Sequence, residues 1–87
     1  MHKVYSTQVC VTPDVESLIH QGYNLGPFVT RHLNGDWGEI NDTERARNLE
    51  SLANGTGHVL SVYRLTPEIT IWISTKAGIT AIMLPLA

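Results

Sequence analysis

The sequence predicts an α+β domain in which three helices pack on one face of an antiparallel sheet of about four strands, in the order β-α-α-α-β-β-β. Two changes of period carry this reading. Residues 3–11 alternate, the middle of the chain repeats its apolar residues at helical spacing, and from residue 58 onward the chain reads as strands again, the middle one cleanly alternating. With 87 residues there are apolar side chains for a single core only, so residues 1–87 are read as one domain.

The first strand, 3–11, puts Tyr5, Thr7, Val9 and Val11 on one face and Val4, Ser6, Gln8 and Cys10 on the other. Thr12-Pro13-Asp14 then opens a short helix: Thr12 caps, Pro13 lacks only a donor that would be unsatisfied anyway, and Asp14 and Glu16 complement the helix dipole. Val15, Leu18 and Ile19 form its apolar stripe, and Gly22 stops it. Asn24 caps a second helix with Leu25, Phe28, Val29 and Leu33 on its inner face, and Gly35 ends it. Asn41 and Glu44 form a capping box for a third helix, which runs to about Ala53. Ala46, Leu49, Leu52 and Ala53 are expected inward, with Arg45, Arg47, Asn48 and Glu50 in water.

Strands follow at 58–65, 68–74 and 78–84, joined by connections short enough to demand antiparallel neighbours. The middle one sets Ile69, Ile71 and Ile73 toward the helices and Thr70, Trp72 and Ser74 outward. The last is apolar on both faces, as expected of a strand covered on both sides.

Composition sets several functions aside. A hydrophobic share of 43% with 16% charged is that of a folded chain, and a net charge of -2 offers no basic footprint for nucleic acid. Cys10, the only cysteine, excludes an internal disulfide and a thiolate-rich zinc site, which points to a reducing cytoplasm. No run approaches the roughly 18 apolar residues needed to cross a bilayer, and no secretory leader is recognisable, so no membrane partner is expected. His2, His20, His32 and His58 fall on different elements without ligand spacing, so no metal or other cofactor is expected.

Two places concentrate chemistry. In the stretch 31–39, Arg31, His32, Asp36 and Glu39 read either as a polar cluster, with His32 as acid or base and Asp36 or Glu39 orienting it, or as a helix stop with Trp37 inserted as an anchor. On the outward face of the sheet, Tyr63, Thr70, Trp72 and Ser74, with Ser61 beside them, read as an aromatic-centred surface for a protein partner or a second copy, unless the monomer covers them.

The chain also resembles a family of small proteins carried on plasmids, phages and other mobile DNA. The likeness rests on Val11-Thr12-Pro13, Arg31-His32 followed by Gly35-Asp36-Trp37-Gly38-Glu39, Asn48, Leu60-Ser61, Tyr63-Arg64, Ile71-Trp72-Ile73 with Thr75, and Leu84-Pro85. Gly-Asp-Trp-Gly is its most specific part. The chain departs from the family pattern after Thr75, where Lys76-Ala77-Gly78 is poorer in charge. The resemblance implies a fold and a genetic setting rather than a reaction.

The expectation is therefore a small non-catalytic accessory protein that binds a protein partner or itself through the open sheet face. Two other classes stand beside it. One is an inhibitor of a host defence enzyme of restriction or CRISPR type, drawn from the genetic setting. The other is a small-molecule-binding or hydrolytic domain centred on His32 and Asp36.

Overall fold

The computed structural model describes residues 3–85, so His2 lies outside the described residues. Within them run β1 (Gln8–Val11), α1 (Pro13–His20), α2 (Gly26–Leu33), α3 (Asp42–Ala53), β2 (Val59–Thr66), β3 (Ile69–Lys76) and β4 (Ile79–Met83). The sheet order is β1-β4-β3-β2, with the last three strands an antiparallel meander. The α+β class is as expected, but the sheet is mixed: β1 runs parallel to β4. Three helices separate β1 from the meander, and so long a crossover leaves a strand free to pair in either direction.

β1 is also shorter than its alternation implies. Before it the chain turns under α2, where the Val4 N–H donates to the Leu33 carbonyl at 2.9 Å and Val4 packs with Trp37 and Val59.

Both α1 and α2 end in the same glycine-dependent motif. The Tyr23 N–H reaches back to the Leu18 carbonyl, and the Asp36 N–H to that of Arg31, across Gly22 (φ 102°) and Gly35 (φ 87°). At the front of α1, the Thr12 hydroxyl donates to the Asp14 carboxylate instead of capping the helix. Asn24 caps from one residue further out than expected, its Oδ1 accepting from the Gly26 N–H at 3.1 Å. The capping box of α3 is formed as expected, Glu44 N–H to Asn41 Oδ1 at 2.7 Å and Asn41 N–H to Glu44 Oε1 at 3.1 Å.

The inner face of α3 differs from expectation. Ala46, Leu49 and Ala53 are exposed, Leu52 is half-buried, and Asn48, expected in water, is 3% exposed. Its amide donates to the Leu60 carbonyl at 2.8 Å and accepts from the Leu60 N–H at 3.0 Å. Helix α3 lies along the outer edge of β2, where unpaired backbone groups favour an amide over a methyl group.

Val15, Leu25, Tyr63, Ile71, Ile73 and Ile82 form the main core between the helices and the sheet. The isoleucines face it as their alternation requires. Tyr63 and Ser61 correct the outward placement given them: they pair with Ile71 and Ile73, share their face, and are buried. On β4 the inward residues Thr80 and Ile82 are buried, whereas Ile79 is exposed and Ala81 and Met83 are half-buried. The helices therefore cover this strand on one side rather than both.

Candidate functional site

The stretch 31–39 resolves into two arrangements that point away from each other. Arg31 leaves α2 toward the surface, where its guanidinium meets Asp36 through Nε to Oδ2 at 2.7 Å and Nη2 to Oδ1 at 3.3 Å. The same guanidinium lies 4.7 Å from the centroid of the Tyr63 ring. Its hydrogen bond holds the Asp36 carboxyl below the usual carboxylate range, and the Asp36 hydrogen bond raises Arg31 in turn. Both residues are exposed to solvent, so the pair contributes little to stability.

Beyond it the chain is bound to the edge of β2. The Tyr63 hydroxyl donates to the Asp36 carbonyl at 2.5 Å, the Glu39 N–H donates to the Val62 carbonyl at 2.7 Å, and the Val62 N–H donates to the Trp37 carbonyl at 3.1 Å. Gly38, with φ 72°, lies so close to β2 that a Cβ there would fall 2.1 Å from the Val62 carbonyl oxygen. Burial pushes the Tyr63 phenol up to about 12. Each member of Gly-Asp-Trp-Gly thus has a structural role, in turn the helix stop, the partner for Arg31, the core anchor and the close approach to the sheet. Glu39 reaches Arg64 at 3.8 Å, also in water.

His32 points the other way, into the core, and is 0% exposed. Its Nδ1 lies 2.6 Å from Ser61 Oγ and its Nε2 2.8 Å from Thr75 Oγ1. The chain of hydroxyls continues from Thr75 to Thr80 and from Thr80 to Ser6, each at 2.7 Å. It ends where the Ser6 hydroxyl meets the carbonyls of Gln8 and Gly78. Every one of these protons has an acceptor when Ser61 donates to Nδ1, the Nε2–H donates to Thr75, and each hydroxyl donates onward to the next. Burial pushes the imidazole down to about 4, so it is neutral at pH 7.

A serine hydroxyl on a histidine nitrogen has the makings of an activated nucleophile. Here Ser61, His32 and Thr75 are all fully buried, and Asp36 stands outside with Arg31. The structure does not bring His32 and Asp36 together. Among the described residues, no group of three His, Cys, Asp or Glu side chains is placed to hold a metal ion, and no helix is long and apolar enough to cross a membrane.

Among the described residues, no helix packs on the opposite face of the sheet. Cross-strand register sets Trp72 between Val62 on β2 and Met83 on β4, and Ser74 between Leu60 and Ala81, with Cys10 beyond Ala81 on β1. Trp72 is 37% exposed and its neighbours are half-buried. Thr70 and Ser74 lie on this face as expected, and the charges there stand at its two ends, Arg64 beside Thr70 and Lys76 beside Ile79.

Sequence reasoning missed the hydroxyl chain and Asn48. Both left a signal. Thr75 follows Ile71 and Ile73 at a spacing of two, and a two-residue turn places Thr80 opposite it. Asn48 lies one helical turn before Leu52, in line with the half-buried side of α3.

Fold and site together define a small α+β protein with a closed polar interior and one uncovered sheet face. No family model matches the chain, and neither a curated protein nor a solved structure does.

Proposed function

We propose that this chain is a non-catalytic binding module that receives a protein partner on the open face of its sheet. The observation that carries the reading is Trp72, a partly exposed indole flanked by Val62 and Met83 at the centre of a face without a helix. Large aromatics in such settings carry a disproportionate share of binding energy. Uncharged at its centre, with Lys76 at one end and Arg64, in a solvent-exposed pair with Glu39 at 3.8 Å, at the other, the face suits an apolar segment flanked by carboxylates. The same reading sets the protein in a reducing cytoplasm, where Cys10 stays a thiol. The likeness to proteins of mobile DNA makes a host defence enzyme the first natural partner to try.

A displayed peptide library selected on the purified chain tests this. The expected winners are apolar sequences with Asp or Glu at their flanks, whose affinity falls at least about tenfold on Trp72→Ala, as loss of a modest hot spot implies. Binders indifferent to Trp72, or selected onto the helical side, would sink the proposal.

A further inference from the structure

The two edges of the sheet are finished in opposite ways. At β2 the outward backbone groups of Leu60 are taken up by the Asn48 amide, and those of Val62 by Trp37 and Glu39. At the other end, among the described residues, β1 pairs with β4 alone, and as the outermost strand it turns half of its N–H and C=O groups away from the sheet. Its shortness, four residues, is the one usual deterrent to edge pairing that stands there: Gln8–Val11 holds no proline, lysine or carboxylate. Its side chains invite contact instead. Val9 is 48% exposed, and Tyr5, just ahead of the strand, is 78% exposed.

We infer that β1 is a pairing edge for a second copy of this chain, joined antiparallel about a two-fold axis to make one continuous eight-stranded sheet. A second copy is favoured over an unrelated strand on two grounds. Two β1 segments bring no like charges together, and the dimer supplies area that the monomer lacks. Strands about 4.8 Å apart and five or six residues long give the open face on the order of 400 Å². A stable complex commonly buries about 800 Å² on each partner. Joining the β1 edges with both open faces on one side doubles the first figure and brings it to the second. The use of the doubled face rests on the function proposed above, whereas the pairing of edges stands without it.

The two-fold fixes the register closely. For both open faces to lie on the same side, opposing residues must share a face, so a residue sits on the axis, and pairing most of Gln8–Val11 makes it Val9 or Cys10. In both cases the two Cys10 Cα atoms fall within about 9 Å. The native thiol is therefore a built-in reporter.

Sedimentation equilibrium at concentrations up to about 1 mM, the range for a short strand pair, is the test. The expected result is a mass rising from 9.6 kDa toward twice that value, with the two Cys10 thiols linked by a short bismaleimide. Val9→Lys, at an exposed position, should hold the protein monomeric and abolish the cross-link while leaving its thermal midpoint unchanged. Three outcomes overturn the inference: a monomer at every concentration, a dimer indifferent to Val9→Lys, or a dimer without the Cys10 link. A dimer lost on Trp72→Ala but kept in Val9→Lys places self-association on the open face. Wild-type peptide binding combined with a persistent monomer removes the edge dimer and leaves the binding module standing.

Discussion

A neutral imidazole has one N–H and one bare nitrogen, and the hydroxyls on either side of His32 satisfy both. Protonation would put a charge on a side chain that is wholly buried, which is why burial lowers the value to about 4 from 6.5. The unfolded chain takes up that proton first, so stability is complete above pH 6.5 and declines as the pH falls from there toward 4. Linkage puts the loss at about 2 kcal/mol by pH 5, before most carboxylates titrate. Urea unfolding at pH 7 and pH 5 should show this drop, and His32→Asn, which keeps a donor and an acceptor but no titration, should flatten it. An equal pH dependence in both proteins would mean that another group is responsible. At this scale the sequence was half legible. His32 stood out, but its partners did not, because Ser61, Thr75, Thr80 and Ser6 come from segments that only the finished sheet brings together.

Among the elements, the β3–β4 turn and α3 each carry a consequence. The turn holds both central residues at positive φ, Ala77 at 53° and Gly78 at 80°, the twist that suits a two-residue hairpin. A side chain at the first of these positions costs about 1 kcal/mol, so Ala77→Gly should raise the melting temperature by roughly 4–8 °C in calorimetry. A lower melting temperature would show that freedom gained by the unfolded chain outweighs relief of the turn. Asn48→Ala should cost about 1–3 kcal/mol in urea unfolding, since it strips two hydrogen bonds from the Leu60 backbone. It should also make the protein more prone to aggregate by opening the β2 edge; unchanged stability would mean that water replaces the amide. Caps and glycines announced where helices begin and end. Which side of α3 faced inward was hidden, since an apolar stripe assumes packing over a sheet and this helix packs along its edge.

For the whole molecule, the α+β class was legible from the changes of period and the three-stranded meander from connection lengths. The place and direction of β1 were not, because a crossover through three helices constrains neither. The open face was legible from the alternation of β3, which turned Trp72 outward. Tyr63 was misassigned because parity passes from strand to strand only through register, and β2 shifts register between Arg64 and Thr66. The first strand in the chain sits beside the last, with Gln8 opposite Ile79 and Val11 opposite Ile82. A nascent chain leaving the ribosome can wind its helices and close the β2–β3 hairpin early, but β1 has no neighbour until β4 emerges. Of these four strands the one synthesised earliest is the last to be placed, and until then its uncharged side chains and unpaired backbone wait in the company of other chains.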